Sequence, residues 1–176
     1  MVGNPAYVEI GNQELIQRRT KRTVPCLPGG TLSDYVPFYF TPYTPMLYNI
    51  KTGHGVPQKP LKEIVILVAS LRRIAKLNLP FVFSDRHAYL RTAQFSNNLD
   101  DLDRIIWPVL QVRDFTRSDL DKFEKYQAEA LIHRHVPVGA LMGIACYDVE
   151  VRDELKQLAD GLGTDVPIFA QRSWFL

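Results

Sequence analysis

The side chains with chemistry to offer fall in four places. Glu129 stands in Gln127-Ala128-Glu129-Ala130 and leads into the apolar Leu131 and Ile132. A carboxylate in that setting lies at the mouth of a cleft with a shifted pKa, or is a surface glutamate of the kind we read at Glu124. Arg18, Arg19, Lys21 and Arg22 form a basic run. Arginine suits phosphate because its planar fork donates paired hydrogen bonds. The competing account is a solvated helix end whose cations favour the carbonyl terminus. Asp85-Arg86-His87 follows the apolar Phe81-Val82-Phe83. Residues at strand ends often line sites, although Asp85 can equally cap a following helix and leave His87 at the surface. Tyr35, Phe38, Tyr39, Phe40, Tyr43 and Tyr48 crowd one stretch. Such rings stack planar ligands or flipped-out bases, or build a core layer.

The composition narrows what these groups can serve. A chain of 176 residues, 46% hydrophobic and 23% charged, forms one soluble globular domain over residues 1–176. Its net charge of +2 permits a nucleic-acid partner without requiring one. The start, MVGNPAYVEIG, has neither the basic nor the apolar part of a secretory signal. The longest apolar run, Ile64 to Ala69, is far too short for a bilayer. Cys26 and Cys146 lack metal-site spacing and read as free thiols in a cytoplasmic protein without a membrane role. His133 and His135 lack a third ligand at useful spacing, so no metal is expected. There is no G-x-G-x-x-G turn and no Walker A sequence; Gly53-His54-Gly55 reads as a loop.

The elements that must position these residues are mixed. A helix is expected over Ala6 to Lys21, turn chemistry from 24 to 34, and an edge or bulged strand over Tyr35 to Phe40, because Pro37 cannot donate to a ladder. Alternation sets Tyr35, Pro37 and Tyr39 on one face, the better ligand candidate, and Val36, Phe38 and Phe40 on the other. Thr44-Pro45 starts a helical turn. Lys62 to Ala69 reads as a strand, and Ser70 to Leu77 as a helix capped by Ser70 and ended by Asn78. Pro80 to Ser84 is a buried strand. Helices are expected over 88–97, 99–106, 117–127 and 151–162, strands over 140–149 and 166–170, and an extended end at SWFL. Residues 130 to 136 fit either state. Without regular βαβ alternation the class is α+β.

Taken together and in order, R-R before a Pro/Gly turn, D-Y-V-P-F-Y-F, P-M-L-Y, L-P-F-V-F-S-D-R-H, Q-A-E-A-L-I and the W-F-L ending resemble the DarT family of DNA ADP-ribosyltransferase toxins. The likeness runs from about residue 8 onward. It implies an α+β ADP-ribosyltransferase fold, with two packed β-sheets around an NAD cleft. It also implies transfer of ADP-ribose from the co-substrate NAD to bases of single-stranded DNA, thymidine first among them. By that resemblance Glu129 is the catalytic acid–base, Arg19 an active-site arginine that also meets NAD, and Tyr39, Met46, Tyr48 and His87 lie along NAD. Arg18, Lys21, Arg22 and Arg86 are then the groups for nucleic acid, and a macrodomain-type antitoxin is the expected protein partner.

The chemistry asks for those residue types. Cleaving the nicotinamide–ribose bond spreads positive charge on the ribose, which a carboxylate stabilises. The same carboxylate can take the proton of the attacking base nitrogen. A single-stranded base is reachable without unpairing. The family's opening I-x-H-I-T-like motif does not occur in this chain. The expectation is therefore a shortened chain with weakened NAD grip, since each lost polar contact is worth roughly 1–3 kcal/mol. Tyr43 stands where some relatives carry a basic residue, so target choice is expected to differ. Two other readings follow from the same residues: a module that binds single-stranded DNA or an antitoxin without turning over NAD, and a phosphodiesterase using His54 or His87.

Overall fold

In the computed structural model, which describes residues 10–175, the chain folds as two sheets with helices around them. Strands β1 (Tyr35–Tyr39), β3 (Phe81–Ser84), β4 (Phe95–Ser96) and β5 (Glu129–His133) form one sheet in the order β1-β5-β3-β4, every pair antiparallel. Strands β2 (Ile66–Val68), β6 (Gly143–Cys146) and β7 (Ile168–Ala170) form the other, with β2-β6 antiparallel and β6-β7 parallel. Pro37 sits in an edge strand, as its missing N–H demands.

The register decides what each face of the larger sheet carries. Tyr39, Glu129 and Ser84 lie side by side, and one residue along lie Phe38, Ala130 and Phe83. Side chains alternate across a strand, so these two rows project from opposite faces. The Phe38 face packs with Ile74, Ile105, Leu110 and Tyr126 into the main core. The Glu129 face carries Tyr35, Val82 and Leu131 against Val24, Leu32 and Ala88. Tyr35, offered above as part of a ligand face, is a core residue here: it is buried and its hydroxyl donates to the Gly29 carbonyl at 2.6 Å. That carbonyl is presented by the turn in which Gly29 and Gly30 both hold φ near +84°, a backbone that residues with a Cβ adopt only with strain.

The helices follow their local signals. Helix α1 (Gln13–Arg19) is capped by Asn12. Helix α2 (Pro45–Thr52) starts with Thr44 accepting from the Leu47 N–H at 3.0 Å and Pro45 in its first turn. Helix α3 (Leu71–Lys76) is capped by Ser70, and Asn78 follows with φ +53°. Helices α4 (Trp107–Gln111) and α5 (Leu120–Tyr126) follow, the second capped by Asp119, and α6 (Val149–Gly161) by Asp148.

Several expectations fail. There is no helix over 88–97; β4 forms there instead, with Phe95 packed into the core on the Glu129 face. Asp85 fastens this excursion: its backbone N–H donates to the Gln94 carbonyl and its carboxylate accepts the Gln94 N–H at 2.9 Å. The helix expected over 99–106 is a run of 3-10 turns over Leu99–Arg104, and Pro108 begins a helix where it was expected to follow one. The strand over 62–69 shortens to β2 after a 3-10 turn at Leu61–Glu63. That over 140–149 shortens to β6, and α6 opens at Val149. Of the terminal stretch expected to be extended, Ser173 and Trp174 lie in a 3-10 turn over Arg172–Trp174, and Leu176 lies outside the described residues. The open segment after Ala128 is strand β5. The first helix spans only 13–19 of the described residues; its expected start at Ala6 lies outside them. No helix among the described residues is long and apolar enough to cross a membrane.

Phe83 is 1% exposed between β5 and the core helices. Phe83→Ala should destabilise the fold by about 3–5 kcal/mol, read in urea titration as a lower midpoint at unchanged slope.

Candidate active site

Glu129 occupies the first position of the central strand β5, where α5 has just ended and the chain turns through Gln127 and Ala128. It is 4% exposed. An ionised carboxylate there needs donors, and the fold supplies them from two directions. From α1, Arg19 Nη1 lies 2.9 Å from Oε2 and 3.3 Å from Oε1. From the loop after β3, His87 Nδ1 lies 2.9 Å from Oε1 and the Ala88 N–H donates to the same oxygen at 3.0 Å. Burial pushes the Glu129 pKa upward. The His87 hydrogen bond, the Arg19 charge and the Ala88 amide outweigh it and hold the carboxyl below its ordinary range. Oε1 thus receives three donors, whereas Oε2 receives one and keeps lone-pair capacity. Tyr39 stands across the ladder from Glu129. Burial first, and the Glu129 charge second, raise its phenol pKa, so it presents a neutral hydroxyl.

Arg19 has a second feature. Its Nη2 is buried and meets no acceptor among the described residues. A buried unpaired donor costs about 1–3 kcal/mol unless an acceptor or a water reaches it, and Arg22 Nε is in the same position among the described residues.

His87 is held in place by its neighbours. Its backbone N–H donates to the Glu124 carbonyl at 3.1 Å, and the Ser84 hydroxyl donates to the Arg86 carbonyl at 2.7 Å. Arg86 itself pairs with Asp85, Asp121 and Glu124 at 3.2–3.4 Å. Read from sequence as a nucleic-acid contact, Arg86 is committed instead to tying the His87 loop to α5. Glu124 is correspondingly no idle surface residue. Arg22 also turns inward: Nη2 donates to the Leu90 carbonyl at 2.9 Å and the guanidinium lies over Phe95. Arg18, paired with Glu14, and Lys21 remain exposed. His133 stacks on Tyr35 at 5.1 Å. No group of three metal-ligating side chains occurs among the described residues.

A cavity of about 840 Å³ opens between the two sheets, lined among others by Phe38, Tyr39, Met46, Leu67, Arg72 and Trp107. Glu129, Arg19 and His87 are not part of its wall, because strand alternation points Glu129 to the other face. The expected grouping therefore divides. Tyr39 and Met46 line the cavity, Glu129, Arg19 and His87 form the buried cluster, and Tyr39 at the end of β1 belongs to both. Tyr48 lines neither; it borders a smaller hollow with Tyr43, Phe115 and Trp174. The Ala88 amide and the Arg86 tie were missed in the sequence; the position of D-R-H after a buried strand was the available signal.

Two sheets thus frame a buried ion pair between Glu129 on β5 and Arg19 on α1. The model of a family described as "ssDNA thymidine ADP-ribosyltransferase, DarT" matches residues 2–176. A DNA ADP-ribosyl transferase of Escherichia coli O127:H6 (strain E2348/69 / EPEC) is 48% identical over 172 residues, covering 96% of this chain and 79% of that protein. One of Thermus sp. (strain 2.9) is 37% identical over 154 residues, covering 88% and 73%. The structure of Thermus sp. 2.9 DarT in complex with ADP-ribosylated ssDNA superposes with a TM-score of 0.91 at 35% identity, over 98% of this chain and 83% of that one. The same DarT in complex with NAD+ gives 0.85 at 34% identity, over 90% and 81%. The chain belongs to the DarT family.

Folding lowers the Glu129 pKa below its ordinary 4.5. Its contribution to stability is therefore present above that pH and is lost as pH falls through the folded value. The thermal midpoint should drop on acidification below about pH 4.5. Glu129→Gln should be less stable at neutral pH, by about 3–5 kcal/mol for a broken buried pair, and should show a shallower acid limb. Parallel acid limbs in the two proteins would refute the assignment.

Proposed function

We propose that this chain transfers ADP-ribose from NAD to bases of single-stranded DNA, thymidine in particular, as the toxin of a cytoplasmic toxin–antitoxin pair with a macrodomain-type antitoxin. The observation that carries the reading is the Glu129 carboxylate: buried, held ionised, saturated at Oε1 and open at Oε2.

In the reaction the bond between ribose C1′ and the nicotinamide nitrogen breaks, and nicotinamide leaves neutral with the bonding pair. A base nitrogen gives its pair to C1′ and loses its proton. The fixed negative charge of Glu129 stabilises the positive charge that spreads over the ribose in between, in a site that needs no reorganisation. Oε2 is the oxygen with capacity to take the proton. The unpaired Nη2 of Arg19 fits an acceptor of NAD, and its Nη1 keeps Glu129 oriented. His87 and the Ala88 amide fix the other oxygen. We assign NAD to the region where Tyr39 joins the buried cluster to the inter-sheet cavity, with Met46 on the cavity side. Exposed Arg18 and Lys21 are suited to backbone phosphates. Arg86 acts as a positioning residue that holds His87 against Glu129.

Mass spectrometry of a single-stranded oligonucleotide incubated with protein and NAD should show addition of one ADP-ribose, and a paired duplex should stay unmodified. Glu129→Gln should lower the rate by roughly 10²- to 10⁴-fold. Undiminished transfer by that variant, or an unmodified oligonucleotide with folded wild-type protein, would overturn the reading. Arg86→Gln should reduce kcat several-fold without changing the NAD KM, and an unchanged kcat would remove its positioning role.

A further inference from the structure

Outside the buried cluster, one group of side chains has no role in the chemistry above. Arg113 follows the end of α4 with φ +58°, a left-handed backbone that is strained for a residue with a Cβ. That turn lays its guanidinium over the ring of Tyr43, with Cζ 3.8 Å from the ring centroid. Arg113 is exposed and meets no carboxylate within ion-pair distance among the described residues. The nearest acid in sequence, Asp114, is already engaged by Lys122 and by the Thr116 N–H, which also stiffens the loop. Behind the stack, Phe115 packs on Tyr126 at 5.3 Å and on Tyr48 at 5.9 Å. Lys51 borders the same hollow, and Arg117 lies over Phe123. The surface thus alternates aromatic rings with uncompensated cations, the composition that binds single-stranded nucleic acid through stacking and phosphate contact.

Its position relative to the reacting carboxylate is set by the fold. Tyr43 is four residues beyond Tyr39, which stands across from Glu129, so at most about 14 Å of extended chain separates them. From the other side, the Tyr126 hydroxyl donates to the Tyr43 carbonyl at 2.7 Å, and Tyr126 is three residues before Glu129.

We infer that the Arg113–Tyr43 stack is a shelf for the nucleobase that neighbours the modified one in single-stranded DNA. The base lies on the open face of the guanidinium, as arginine planes do under unpaired bases, and the N–H edge meets the adjoining phosphate. The inference rests on the single-stranded DNA reading above and adds to it a determinant of sequence context. Stacking grows with ring area, so a purine neighbour is held more tightly than a pyrimidine and an abasic neighbour least.

The test uses the full chain and fluorescein-labelled oligonucleotides that carry a purine, a pyrimidine or an abasic site beside the target thymidine. Binding is followed by anisotropy without NAD, and transfer kinetics are followed with NAD. Tyr43→Ala and Arg113→Ala should each weaken binding and raise the oligonucleotide KM by roughly 5- to 150-fold, leaving kcat and the NAD KM in place. Tyr43→Phe should retain wild-type values. Removing the neighbouring base should weaken wild-type binding by a similar factor and cost the Tyr43→Ala protein little more. An unchanged KM in both alanine variants, a full abasic penalty in Tyr43→Ala, or no oligonucleotide binding by wild type would overturn the shelf. Wild-type protein that binds the oligonucleotide in the expected order but transfers nothing would overturn the transferase reading and leave the shelf standing.

Discussion

The carboxylate of Glu129 is the constraint around which the molecule is arranged. A charge that is 4% exposed is untenable in a protein interior unless donors surround it. Meeting that requirement draws together α1, through Arg19, and the loop after β3, through His87 and Ala88. The donors that make the charge tolerable are also those that keep it ionised and aimed. In the proposed reaction the same contacts serve folding and chemistry, and one guanidinium nitrogen of Arg19 has no acceptor among the described residues.

Strand alternation does the sorting. A period of two along β5 gives Glu129 and Leu131 to one face and Ala130 and Ile132 to the other, so one five-residue strand serves the polar cluster and the main core at once. It also separates the cluster from the large inter-sheet cavity, leaving Tyr39 as the link where β1 ends. A slip of β5 by one residue against both β1 and β3 would turn Glu129 into the apolar core.

What could be read before the structure was mostly local. Thr44-Pro45, Ser70 and Asn78 marked helix boundaries because the groups they satisfy lie within a turn. Pro37 marked an edge because its missing N–H is a property of the residue alone. The stretch over 88–97 misled because its helical pattern competes with pairing to β3 and a bridge from Asp85, neither visible in a local window. The site was legible as residue types and a family resemblance. Its geometry was not, since Arg19 and Glu129 are 110 residues apart and nothing near either announces the other. The inward commitments of Arg22 and Arg86 were misjudged for the same reason: a cation in a sequence looks free until its distant carbonyl or carboxylate is placed beside it.

Helix α1 spans seven residues and buries none of them. A helix that short has little stability of its own in water, and its apolar side is confined to Leu15 and Ile16, neither fully buried. It rests against the 3-10 turn at Leu32–Asp34, with Leu15 half-buried, and Arg19 clasps it to Glu129. The seating of α1 and the charge of Glu129 are therefore coupled through Arg19, alongside the hold that His87 and the Ala88 amide keep on the same carboxylate.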